Sequence, residues 1–197
     1  VNTRISSYLG AVYYAMESPK AASSLRQALA GRPAKGSELE RTLLWELAGR
    51  DEEALAIADS IPEKERSYQA HIARGRILER AGRTAEASAA YDEAGKILFQ
   101  TNLYSVSARI NLRAGFLGKS PEAFRRAADA FEKMEMPGNA IVTLRRANAI
   151  EYSVEAAILS AFLYARINQR GFFEKTMAEA ALKDPTYARL HFISAMA

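Results

Sequence analysis

The chain has no cysteine, two histidines and a single tryptophan among its 197 residues. Without thiols there is no disulfide, no thiolate metal site and no cysteine nucleophile, and a cysteine-free chain suits cytosol and periplasm equally. His71 and His191 have no carboxylate or second histidine at metal-ligand spacing, so packing or partial exposure is expected of them and no metal site is assigned. Apolar runs are short as well: none approaches the roughly 18 residues needed to cross a bilayer, and Val1 opens into a patterned segment without a signal-like stretch. The absent initiator methionine fits a processed chain or a domain of something longer. Excess charge of one sign is also missing. Against 23 Asp plus Glu stand 27 Lys plus Arg, a net charge of +4, far from the dense basic footprint of a nucleic-acid binder, so nucleic acid is disfavoured.

Strand-like alternation is missing too, and what fills the chain instead is helix-forming. Roughly one residue in five is alanine, accompanied by Leu, Glu and Arg, while β-branched residues are scattered. Breaks recur at short intervals: Ser18-Pro19, Arg32-Pro33, Gly49-Arg50-Asp51, Ile61-Pro62, Gly82-Arg83-Thr84, Gly118-Lys119-Ser120-Pro121, Met136-Pro137-Gly138, Gly171 and Asp184-Pro185. Each supplies a glycine that can end a helix, a Ser, Thr or Asp that can cap the next, or a proline that fits its first turn. The pattern predicts an all-α chain of twelve helices over 3–16, 18–30, 37–49, 51–60, 66–81, 84–99, 102–117, 120–135, 138–151, 153–169, 171–183 and 186–197.

Helices so uniform invite a search for self-similarity. Ala48-Gly49-Arg50-Asp51-Glu52-Glu53-Ala54 matches Ala81-Gly82-Arg83-Thr84-Ala85-Glu86-Ala87, and stepping by the same interval lands on Ala15, Ala48, Ala81, Ala114, Ala147 and Ala180. A helix-turn-helix unit of about 33–34 residues cannot bury its apolar face alone, so neighbours must stack. The segment from Tyr68 to Gln100 carries His71, Arg74-Gly75 and Leu78 on one helix and Ala87, Tyr91 and Ala94 on the next. Ile5, Tyr8-Leu9, Val12, Ala21, Leu25, Ala28 and Pro33 follow the same frame, as do Trp45 and Ala54. In these residues the chain resembles the tetratricopeptide repeat (TPR) family. The resemblance implies an all-α, right-handed superhelical solenoid of about six repeats in one domain over 1–197, near 2–34, 35–67, 68–100, 101–133, 134–166 and 167–197. Beyond residue 101 a second frame is open, in which Ala140, Leu144 and Ala147 belong to a second helix; the unbroken 33-residue period is preferred.

No catalytic or cofactor chemistry is legible. Gly118-Lys119-Ser120 mimics the end of a phosphate loop, but Arg113 occupies the place of the required glycine, no strand precedes it, and Ser120 reads as a helix cap. Asp51, Glu52 and Glu53 answer the positive end of a helix dipole. Tyr13-Tyr14 and Leu43-Leu44-Trp45 read as core. The expectation is therefore a protein that is not an enzyme and needs no cofactor.

The TPR resemblance places the first helix of each pair on a concave wall. In the 33-residue frame the inward residues are Tyr14 with Gly10, then Leu39, Leu43 and Leu47, then Arg76 and Arg80, Arg109 and Arg113, Val142 and Arg146, and Lys175 and Glu179. Partners in each helix are four apart and share a face. The groove is thus expected to be apolar near its N-terminal end and basic in the middle, with Arg76, Arg80, Arg109 and Arg113 in equivalent places of consecutive repeats, suited to a partner's carboxylates. The competing reading gives these arginines to Glu46, Glu79 or other acids of neighbouring helices as surface ion pairs. Arg125 and Arg126 are expected on the outer surface. The Lys and Asn arrangement with which some TPR domains grip chaperone tails is lacking, since Ser6, Leu39 and Ile72 stand in those places. The resulting expectation is a scaffold or adaptor for a protein or peptide with an acidic segment, within a bacterial assembly or export apparatus. The alternatives are a peptide-sensing regulatory domain and the non-catalytic superhelical part of a cell-wall enzyme.

Overall fold

The computed structural model describes residues 38–47 and 49–186. The expected helices at 3–16 and 18–30, all but the first residue of the one at 186–197, His191, Tyr13-Tyr14, Ala48 and the side chain of Leu47 lie outside the described residues. Those described residues form nine α-helices: α1 Glu38–Leu47, α2 Asp51–Ser60, α3 Tyr68–Arg80, α4 Thr84–Gln100, α5 Tyr104–Gly118, α6 Pro121–Lys133, α7 Pro137–Ile150, α8 Val154–Arg166 and α9 Arg170–Lys183. A short 3-10 turn, Glu63–Glu65, was not anticipated. There is no strand among the described residues. The fold is all-α and TPR-like, a run of helix-turn-helix units whose ends fall within about three residues of the expected ones.

Local chemistry explains the helix starts and stops. Ser67, Ser120 and Ser153 cap α3, α6 and α8, each Oγ accepting a hydrogen bond from the backbone N–H of Ala70, Ala123 and Ala156 at 3.4, 3.1 and 3.2 Å. Pro121 and Pro137 occupy first turns, where a missing N–H costs nothing. The turns also mark the period. Gly49 and Gly82 adopt φ +72° and +73°, and Asn102, Glu135 and Asn168 recur at φ +60°, +58° and +57° before α5, α7 and α9. Gly118-Lys119-Ser120 does not close a phosphate loop, because the residues before it are the last turns of helix α5 and not a loop after a strand.

The 33-residue interval is not unbroken. α4 has 17 residues where α6 and α8 have 13. The extra turn shifts every landmark after it by three or four residues relative to those before.

The chain divides into two compact units, one ending at Ala90 and one beginning at Tyr91, so the boundary falls inside α4. In the first, α1 packs on α2 and α3 packs on both. His71 is buried, as expected, beside Ala70, Ala73, Ile77 and Leu78. In the second, α5 to α9 pack in sequence order, each on the next. Ala128, Ala140, Ile141, Leu144, Ala156, Leu163 and Tyr164 form one core cluster, with Phe131 and Phe173 against it, and Ala157, Ile158, Ala161, Met177 and Ala180 form another. Alanine rows let helix axes approach closely, and each large side chain buried among them, such as Leu144 or Leu163, stabilises by about 1.5–3 kcal/mol.

Candidate protein-binding surface

In the first unit the two arginines of α3 are held by acids of α1 and α2. Arg76 donates from Nε and Nη2 to the two carboxylate oxygens of Glu46, both at 2.8 Å. Arg80 donates from Nε and Nη2 to Asp51 at 3.0 and 2.7 Å and from Nη1 to Glu46 at 3.2 Å. Glu46 is 3% exposed, so this carboxylate, taken from water, needs both guanidinium groups around it. Arg80 in turn holds the Asp51 carboxyl below its usual range, chiefly through its hydrogen bonds. Pairing with internal acids, the competing reading from the sequence, is what the structure shows for Arg76 and Arg80. Leu39 and Leu43 are half-buried on α1, and Leu44 lies in the core.

The second unit treats its arginines differently. On α5, Ser105, Arg109, Arg113 and Phe116 form an exposed stripe, whereas Ser107, Ala108, Ile110, Asn111, Ala114 and Gly115 face inward. On α7, Val142, Arg145 and Arg146 are exposed while Ala140, Ile141, Thr143, Leu144 and Ala147 are buried. The two stripes adjoin, because the Arg146 guanidinium sits 4.8 Å from the centroid of the Phe116 ring. Arg113 lies 5.4 Å over the ring of Tyr91, which is itself buried. Neither α5 nor α7 contains an Asp or Glu, unlike every other described helix. Arg109, Arg145 and Arg146 make no ion pair among the described residues. Phe116 is 56% and Val142 52% exposed, which is unusual for side chains that gain from burial.

Two corrections follow. Arg76 and Arg80 are not the pair equivalent to Arg109 and Arg113: aligned on the left-handed turns at Gly82 and Lys119 that close α3 and α5, the residues of α3 that match Arg109 and Arg113 are Ile72 and Arg76, both half-buried. The extra turn of α4 causes the slip. From α5 onward the frame holds, and Arg109, Val142 and Lys175 occupy matching positions, as do Arg113, Arg146 and Glu179. Lys175 and Glu179 lie 4.0 Å apart on α9, so there the stripe neutralises itself.

The second correction concerns Arg126, which is not an outer-surface residue. It is largely buried, pairs with Asp92 of α4, and donates from Nε to Asn111 Oδ1 at 3.4 Å. Asn111, fully buried, donates from Nδ2 to the carbonyl and hydroxyl of Ser107 at 3.0 and 3.1 Å, and Ser107 Oγ donates to the Gly95 carbonyl at 2.9 Å. A Cβ on Gly95 would lie 2.4 Å from Asn111 Oδ1. This polar seat fixes the rotation of α5 against α4, and so decides that Arg109 and Phe116 face outward. Arg125 is also partly covered, reaching the Glu151 carbonyl at 3.4 Å.

Sequence reasoning included Val142 and Arg146 in the inward set but missed Phe116 and Arg145. The signal was present, since both helices are free of acid. Among the described residues no group of three or more His, Asp or Glu could hold a metal ion, and no helix is long and apolar enough to cross a membrane.

No protein-family model and no curated protein matches the sequence. Among solved structures the chain is similar to MamA of Desulfovibrio magneticus, at 13% identity and TM-score 0.43 over 78% of this chain and 98% of that one. A further MamA crystal structure matches at 14% and 0.48 over 75% and 96%. YrrB, described as a TPR protein with an unusual peptide-binding site, matches at 15% and 0.46 over 89% and 100%.

Proposed function

We propose that the chain is a non-catalytic scaffold that binds an acidic segment of a protein partner. The observation that carries this reading is the acid-free surface of α5 and α7, where Arg109, Arg145 and Arg146 meet no described carboxylate beside exposed Phe116 and Val142. Arginine forks match carboxylates in two-point geometry, and hydrogen bonds to a charged partner contribute about 1.5–3 kcal/mol when shielded from water and much less at a rim. In the unit ending at Ala90, Leu39, Leu43 and Leu47 are proposed as apolar contacts for the partner. Arg76 and Arg80 enter only if the partner displaces Glu46 or Asp51, so they are secondary in this reading.

The test is capture from an extract of the source cells, wild type against a variant with Arg109, Arg145 and Arg146 each changed to Gln and an unchanged thermal midpoint. A partner identified by mass spectrometry that carries an acidic segment, is lost from the variant and weakens as salt rises supports the proposal. Partners retained equally by both proteins, with no dependence on salt, refute it.

A further inference from the structure

Building on the scaffold reading, we infer that the α5–α7 surface recognises a short linear segment in which carboxylates flank a large apolar side chain. A stripe that attracted charge alone would have no use for an exposed phenylalanine and an exposed valine. Phe116 and Val142 each keep over half of their surface in water, and both lie in arginine-bearing stripes. The guanidinium of Arg146 against the Phe116 ring is held by a partner that accepts none of its N–H bonds strongly, so the donors remain for a ligand. An apolar side chain laid between Phe116 and Val142 would cover both, and it would exclude water from Arg146, strengthening a carboxylate contact there. Arg109, one helical turn before Arg113 in the same stripe, is placed for a second carboxylate.

The surface favours a peptide over nucleic acid. A phosphate backbone calls for a continued row of cations, whereas the matching positions on α9 are Lys175 and Glu179, an ion pair. The cationic part is therefore short, with room for two or three carboxylates.

The experiment is selection from a phage-displayed library of random 12-residue peptides on the full chain. The most enriched peptide, fluorescein-labelled, is then titrated by anisotropy against the wild type and folded variants. The expected consensus places Asp or Glu on both sides of Leu, Ile, Phe or Trp. Phe116→Ala and Arg146→Gln should each weaken binding about tenfold, the equivalent of 1.4 kcal/mol, and Arg76→Gln by less than about twofold. Exchanging the apolar residue for Ser should weaken it about tenfold as well. Enriched peptides without acidic residues, or binding unmoved by Phe116→Ala and Arg146→Gln, overturn the inference while leaving a scaffold that binds elsewhere. A library that yields no peptide family overturns recognition of a linear segment and leaves only folded protein surfaces to the scaffold reading. Tighter binding of a single-stranded oligonucleotide than of any acidic peptide overturns both.

Discussion

In the unit that ends at Ala90, Arg76 and Arg80 direct their donors to Glu46 and Asp51; in the unit that begins at Tyr91, Arg109, Arg145 and Arg146 leave two helices that contain no carboxylate. Residue type is the same and the supporting helices are similar, so the difference lies in the neighbours. Where a buried acid such as Glu46 needs a counterion, arginine is part of the fold. Where the arginine-bearing helices carry no acid of their own, Arg109, Arg145 and Arg146 stay exposed, with Arg146 resting on the Phe116 ring. The comparison teaches that arginine at helical spacing identifies a binding face only after acids of the adjoining helices have been accounted for.

The largest effect should come from the seat that orients α5. Gly95→Ala would press a methyl group into buried Asn111 and break its bonds to Ser107, costing about 2–3 kcal/mol by overpacking and loss of a buried hydrogen bond. A urea midpoint unchanged from wild type would show that Asn111 has another place to go, and with it that the outward turn of Arg109 is not fixed here.

Next come the arginine partners themselves. Glu46→Gln should destabilise by about 1–3 kcal/mol, because Arg76, only partly exposed, loses a two-point acceptor. The figure is held below that of a fully buried pair because Arg80 remains nearly half in water. Arg109→Gln should change stability by less than about 0.5 kcal/mol, as expected of a surface change with no partner lost. Equal losses in the two variants would erase the distinction between the regions.

Smaller effects test the turns. Gly82 has φ +73° and open space where a Cβ would go, so Gly82→Ala should cost about 1 kcal/mol by backbone strain alone. Glu135, at φ +58°, is a side chain in the same conformation, and Glu135→Gly should stabilise by about 0.5–1 kcal/mol. Thermal denaturation of the two variants should move in opposite directions.

The least of the expected effects is on acid stability. Arg80 lowers the Asp51 carboxyl in the folded chain relative to its unfolded value, so the pair's contribution is fully present above about pH 4 and is lost as pH falls through the depressed native value. Asp51→Asn should therefore narrow the stability gap between neutral and acidic pH. A pH profile identical to wild type would mean that the Arg80 contact is not maintained in solution.

How much of this was legible in the sequence depends on distance along the chain. Helix positions follow from local residues, Ser120 with Pro121 or Gly82 with Thr84, and were readable to within a few residues. The period was readable within each stretch as well, because the turn at Gly49 repeats at Gly82 and the turn at Asn102 repeats at Glu135 and Asn168. The extra turn of α4 was hidden, since Ala81, Ala114 and Ala147 continue the interval across it by chance in an alanine-rich chain. The candidate surface was half legible. Arg109 and Arg113 were found by spacing, but the burial of Arg126 and the internal pairing of Arg76 depend on acids about 30 residues away, at Asp92 and Glu46. Phe116 was not singled out, because exposure of an aromatic side chain is decided by which helices lie over it.

The most direct test of the contrast is arginine footprinting of the folded chain with phenylglyoxal, followed residue by residue by mass spectrometry. Arg109, Arg145 and Arg146 should react fastest and be protected by an acidic peptide that the chain binds, while Arg76 and Arg80 react slowly whether or not the peptide is present. Rapid modification of Arg76 and Arg80, with protection there and none at Arg109 and Arg146, would contradict the account.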